Sequence, residues 1–263
     1  MSIKSYSIGF DLGGSSLKYG YGNKDEGLLY FEKIYHREKS LNNLIDVFRQ
    51  AFADLERLNI PFVALGLASP GIIDVQMGNV LGSTPNLPYL KGVNLKRILH
   101  DITSLPIYVD NDANLMAFAE ADYWDSNSLV GITIGSGIGT GFVYGKEVFR
   151  GNDFKAMEAG HIIVVPNGRQ CLCGKQGCLE AYCSVDSIRR ILSEQGVNIV
   201  EIVDIINNPS EQVQKAIMGI IKILAIGLAN LVMVLNPKTI AIGGGLIEID
   251  SFDFEYLKNE TIA

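Results

Sequence analysis

Charge is scarce in this chain. Only 19% of its 263 residues are Asp, Glu, Lys or Arg, and the basic ones are outnumbered 22 to 29. A net charge of −7 argues against a nucleic-acid-binding surface, which normally needs a basic face. Pro/Ser-rich linkers and low-complexity tracts are missing, so any domain boundary is soft. The opening MSIKSYSIGFDLGG holds no apolar run long enough for a signal peptide, which makes the cytoplasm the expected compartment. Cysteine is scarcest of all. There are four, and all fall between Cys171 and Cys183. Where thiols stay reduced, such a cluster reads as a metal site before it reads as a disulfide framework.

Apolar residues are plentiful, at 48%, enough for two modest domains or one large one. Ile217 to Leu235 is nearly long enough to span a bilayer. Lys222 and Asn230 interrupt it, so a helix buried between layers is expected and no membrane partner. The N-terminal pattern YSIGFDLGG, SLKYGYG, GLLYFEKIY predicts three short antiparallel strands. Leu41, Leu44, Ile45, Phe48, Phe52, Leu55 and Leu58 recur at helical spacing behind the cap candidate Ser40. FVALGLASPG and LPIYVDND read as buried strands, and ANLMAFAEADYW as a helix. The pattern then restarts. SLVGITIGSGIGTGFVYGKEVF is again strand, glycine turn, strand. Helices near 184–194, 199–206 and 210–235 and a strand TIAIGGG follow. Two copies of one plan are expected, meeting near residue 115.

The first glycine turn, Asp11-Leu12-Gly13-Gly14-Ser15-Ser16, offers backbone N–H groups and hydroxyls to a phosphate, and Asp11 offers a carboxylate to Mg2+ through water. Alone, it also suits plain hairpin geometry. The second, Gly135-Ser136-Gly137-Ile138-Gly139-Thr140-Gly141, is not a P-loop, because no Gly-Lys-Ser/Thr follows, nor a dinucleotide fingerprint, because a strand and not a helix comes next. Together the two suggest a phosphate chain gripped from both sides. A third turn, Gly243-Gly244-Gly245, can admit a base or ribose. VDNDAN places Asp110, Asn111, Asp112 and Asn114 at a strand end. Such a cluster serves as a helix cap, or takes a proton from a substrate hydroxyl. His161, Cys171, Cys173 and Cys178 form a donor set for tetrahedral Zn2+, with Cys183 as the rival fourth ligand. Glu158 and Glu180 bracket the set and can clamp sugar hydroxyls. His36 and His100 have no comparable context and are expected at the surface.

In order, DLGGSSLKYG, SPGIID, TPNLP, VDNDAN, IGSGIGTG, EAGH, CLCGKQGCLE and LNPKTIAIGGG resemble the ROK family of sugar kinases and sugar-responsive repressors over nearly the whole chain. EAGH with the cysteine loop is the most specific part. The resemblance implies an α/β chain with the actin-like (ribonuclease H-like) ATPase fold, two domains around a cleft, here residues 1–115 and 116–263. It implies that Asp112 is the catalytic base and that Asn111 holds a neighbouring hydroxyl. It makes Glu158, His161 and Glu180, with Gly71 and Thr84, sugar contacts. His161, Cys171, Cys173 and Cys178 would hold a structural zinc, leaving Cys183 a spectator. Asp11, Gly13, Gly14, Ser15, Gly135, Ser136, Gly137, Gly139 and Thr140 would hold the phosphates of ATP and its Mg2+, with Gly244 and Gly245 near the nucleoside. A homodimer is implied as well. The expected activity is ATP-dependent hexose phosphorylation. The alternatives are a sugar-sensing regulator, which would carry a helix-turn-helix domain ahead of the first glycine turn, or a silent sugar-binding protein. Glucose, N-acetylmannosamine, fructose, allose and β-glucosides are all acceptors within the resemblance, and GCLEAYCS is closer to the N-acetylmannosamine-type and general hexose members than to the glucose-specific ones. Members continue beyond the NETIA where this sequence stops, into a helix that returns to the first domain.

Overall fold

The N-terminal strand signals fold as an antiparallel meander of β1 (Tyr6–Leu12), β2 (Ser16–Asn23) and β3 (Gly27–Tyr35). Alternation along β1 sends Ile8, Phe10 and Leu12 inward. Helix α1 (Leu41–Glu56) covers that face, with Phe48 stacked on Phe10 at 5.8 Å between ring centroids. The helix begins where the Ser40 side chain accepts a hydrogen bond from the Asn43 N–H at 3.3 Å. Leu44, Phe48, Phe52 and Leu55 are buried as their spacing predicts, whereas Leu58 lies past the helix end and is exposed.

The computed structural model describes residues 4–36, 38–82, 85–197, 210–248 and 252–262. Thr84 and the helix expected over 199–206 lie outside the described residues. Contacts divide the chain into two units, 1–115 with 151–155, and 116–150 with 156–263.

In the first unit, β4 (Phe62–Ser69) joins β1 in parallel. A small hairpin of β5 (Ile72–Asp74) and β6 (Asn79–Gly82) follows, then α2 (Leu95–His100). β7 (Ile107–Asn111) joins β4 in parallel, giving the order β3-β2-β1-β4-β7. Helix α3 (Asp112–Tyr123) leads out of β7 and from Met116 onward belongs to the second unit, where Ala117 and Ala121 are buried.

The second unit repeats the plan. β8 (Ser128–Ile134) and β9 (Ile138–Tyr144) form a hairpin, the short β10 (Glu147–Val148) adds to its edge, and β11 (Thr239–Gly243) pairs in parallel with β8. Its helices are α4 (Glu180–Cys183), α5 (Val185–Glu194), α6 (Glu211–Leu235) and α7 (Phe254–Ile262). By length and mean hydropathy, 2.3, α6 is apolar enough to cross a membrane. Its face of Ile217, Ile220, Ile221, Leu224 and Leu228 is instead committed to the core of this unit, with Ile132, Leu179 and Ile188. That is the buried-helix arrangement expected of the run.

Candidate functional site

The first glycine turn joins β1 to β2. Gly13 N–H donates to Ser16 O at 2.8 Å, and Ser15 and its neighbours Gly13 and Gly14 reach solvent. The β1–β2 register sets Asp11 opposite Lys18, whose Nζ lies 2.9 Å from Asp11 Oδ2. Both side chains are about half exposed, so this pair contributes little to stability. The turn has a holder that sequence reasoning missed. His36 is expected at the surface but is only 2% exposed. Its N–H donates to Ser15 O at 3.1 Å, and its Nε2 sits 3.0 Å from Gly13 O. The reason is register: β2 and β3 pair Ser16 with Tyr35, which carries the residue after β3 to Ser15. His100 is exposed as expected.

VDNDAN closes β7 and opens α3. Asp110 is buried and bonds the Asn111 N–H at 2.7 Å and Asn114 Nδ2 at 3.2 Å. Asn111 Oδ1 caps the helix, accepting from the N–H groups of Ala113 and Asn114 at 2.9 and 3.1 Å. Its Nδ2 donates to Gly71 O at 2.9 Å, which ties the turn after β4 to the start of α3. Asp110, Asn111 and Asn114 thus hold the corner. Asp112 is exposed, with Oδ1 2.9 Å from the Ala113 N–H.

The second and third glycine turns lie together in the second unit. Gly243 pairs with Thr133 in the β8–β11 register. Gly244 has φ +108, and a Cβ there would fall 2.2 Å from Ile134 O, so only glycine lets the third turn rest on the strand that enters the second. Gly135 O accepts from the Val185 N–H at 2.8 Å, at the start of α5, and Ser136 is exposed. Ile138 N–H donates to Glu180 Oε2 at 2.8 Å. The Thr140 hydroxyl is 6% exposed and already engaged: it donates to Met157 O and accepts from the Ala159 N–H at 3.0 Å.

One donor atom each from His161, Cys171, Cys173 and Cys178 lies within 4.8 Å of all the others. Cys171 Sγ is 3.6 Å from His161 Nδ1, and Cys173 Sγ is 3.6 Å from Cys178 Sγ. Two thiolates bound at ~2.3 Å to one tetrahedral ion stand about 3.8 Å apart, so the set fits Zn2+. Nδ1 faces the sulfurs, and Nε2 remains for a second partner. The cage closes because Gly177, at φ +82, brings its backbone so near Val165 that a Cβ would fall 1.8 Å from Val165 O. Cys183 stays out. Its thiol is fully buried, 3.6 Å from Ile220 O, and burial pushes its pKa well up. Glu158 keeps much of its surface in water, yet its carboxyl is raised above the ordinary value. Loss of water around the charged head is the main cause. The His161 charge opposes the rise, and Glu180 adds to it.

The family model described as "ROK family" matches residues 7–261. The glucokinase of Thermotoga maritima is 29% identical over 281 residues, covering 97% of this chain and 86% of that protein. The xylose repressor of Caldicellulosiruptor bescii is 30% identical over 226 residues, covering 79% of this chain, which spans only 56% of the repressor's length. A ROK family glucokinase from Streptomyces griseus, solved with glucose and AMPPNP, superposes with a TM-score of 0.82 at 25% identity, over 98% of this chain and 90% of that one.

Proposed function

The chain belongs to the ROK family, and from that premise we propose that it is an ATP-dependent hexose kinase acting on the 6-hydroxyl of glucose, N-acetylmannosamine or a related hexose. Its fold is the actin-like ATPase fold, with two α/β units. The observation that carries the reading is the solvent exposure of Asp112 where β7 hands over to α3. Asp110, Asn111 and Asn114 shape the corner, and the Asp112 carboxylate, which accepts from the Ala113 N–H, is open to solvent there. A carboxylate so placed accepts the proton of a sugar hydroxyl as its oxygen attacks the γ-phosphorus of ATP. The bond to the β–γ bridging oxygen breaks, and ADP leaves. Mg2+ would neutralise the phosphate charge, with Asp11 as its water-mediated anchor. The turns of Gly13, Gly14 and Ser15 and of Gly135, Ser136, Gly137 and Gly139 would take the phosphates, with the Ser15 and Ser136 hydroxyls as donors, and Gly244 and Gly245 leave room for the nucleoside. Glu158, His161 Nε2 and Glu180, with Gly71 and Asn111, hold the sugar hydroxyls, and zinc on the four-residue cluster is structural. The working form on this reading is a cytoplasmic homodimer.

The likeness to a xylose repressor favours a second reading, a sugar-responsive regulator. One experiment separates the two. ADP release is followed across a panel of hexoses, N-acetylhexosamines and xylose, with Asp112→Asn in parallel. The kinase reading expects sugar-dependent release that falls by about 10²–10⁴-fold in the variant. Sugar binding by calorimetry without any release would refute it in favour of the regulator. Equal turnover by wild type and variant would remove Asp112 as the base.

A further inference from the structure

Thr140 lies in the second glycine turn, yet its only hydroxyl points away from any phosphate role. It donates to the carbonyl of Met157 and accepts from the N–H of Ala159. Those groups belong to the two peptide planes on either side of the Glu158 Cα. One hydroxyl therefore fixes the backbone both before and after Glu158, and with it the direction of the Glu158 side chain. The local conformation needs such a holder. Met157 has φ +64, a region that side-chain-bearing residues occupy at a cost, and Glu158 sits at φ −76, ψ 49, outside the helix and strand regions. Ala159 is 4% exposed, so without Thr140 its N–H would have no water to replace the bond. A second tie runs in the same direction, because Glu180 Oε2 takes the Ile138 N–H of the same turn.

We infer that Thr140 is a positioning residue for the sugar-binding carboxylate Glu158, so that the second glycine turn shapes the sugar site through Thr140 as well as facing the nucleotide. The inference rests on the kinase reading above for the role of Glu158, but not for the hydrogen bonds. Valine at this position keeps the shape of the side chain and removes both the donor and the acceptor. Serine keeps both.

The test measures dissociation constants by calorimetry for D-glucose, or for the panel sugar with the fastest turnover, and for AMPPNP. Wild type, Thr140→Val, Thr140→Ala and Thr140→Ser are compared, with zinc content as the check on folding. Amide exchange at residues 158–161 is recorded without ligand. Thr140→Val is expected to weaken sugar binding by about tenfold or more, the penalty for an unpaired buried amide. AMPPNP binding should stay within about twofold, since no nucleotide contact is removed. Thr140→Ser should restore sugar binding, and exchange at 158–161 should quicken in the valine and alanine variants only. If Thr140→Val does not fold, Thr140→Ala is read by the same criteria. Weakened AMPPNP with unchanged sugar affinity would return Thr140 to the phosphate ligands and overturn the inference. Unchanged exchange at 158–161 would overturn it as well. A wild type that binds no panel sugar refutes the kinase reading instead, and the exchange data then decide the clamp alone.

Discussion

Asn111 carries the connection between the turn after β4 and the start of α3, and its replacement has a calculable cost. Its Oδ1 caps two helix N–H groups and its Nδ2 reaches Gly71 O. Asn111→Ser keeps a capping oxygen and loses the reach to Gly71. Asn111→Ala loses both. A cap of this kind contributes about 1 kcal/mol, and a neutral, partly buried hydrogen bond about 1 kcal/mol. The expected loss is therefore about 1 kcal/mol for serine and about 2 kcal/mol for alanine. A single melting curve blurs this in a chain of two units. Hydrogen exchange through a urea series, read on peptides of β1, β4 and β7, resolves it. At ordinary urea sensitivities Asn111→Ala should lower the midpoint of those peptides by roughly 1 M, and Asn111→Ser by about half as much. Turnover should fall further than sugar affinity, because Asp112 loses its fixed origin. Equal destabilisation by serine and alanine would refute the two-ended bridge.

Cys173→Ser should lose zinc and weaken sugar binding, while Cys183→Ser keeps both; metal analysis of freshly purified protein decides, and loss of zinc from Cys183→Ser would sink the ligand assignment. Glu158 should give sugar binding an acid limb above that of an ordinary carboxylate, because its raised pKa holds the proton longer as pH rises. The same group has the opposite effect on folding: its contribution is complete below the unfolded carboxylate pKa and is lost as pH rises through the folded one. Glu158→Gln should flatten both profiles, and an unchanged acid limb would clear Glu158 of the effect. His36→Ala should raise the KM for ATP about five- to tenfold with the sugar KM unchanged, since it removes one neutral hydrogen bond to the turn and the packing around it; His36→Gln should recover part of the loss, and an equal rise in both KM values would make His36 merely structural.

Residues that lie close in the chain and share one chemistry are legible from the amino-acid order alone. Ser40 as a cap, the spacing of α1, and the set His161, Cys171, Cys173 and Cys178 depend on local geometry, and the fold places them together as that spacing requires. The parallel between the halves is legible for the same reason: each glycine turn sits inside a hairpin of adjacent strands, and hairpins are local. The roles of His36 and Thr140 are not legible, because what they bond is set by pairings across the sheet and by the path of residues 156–161. An apolar-to-polar pattern reports which face a residue takes, not which backbone group it meets there.

That difference separates the two glycine turns, which look alike as sequences. Both lie in hairpins that begin a mixed sheet. The first is held by His36, through carbonyls of its own backbone. The second is held from the segments that carry Glu158 and Glu180, through Thr140 and Ile138. A disturbance of the cysteine loop therefore has a covalently short route to the second turn, from Cys178 through Glu180 to Ile138. Loss of zinc should on this ground weaken nucleotide as well as sugar binding. Exchange data on the zinc-free protein should then show residues 135–141 loosened while 13–16 keep their protection. Protection lost equally at both turns would mean that the metal supports the whole molecule and not this one connection.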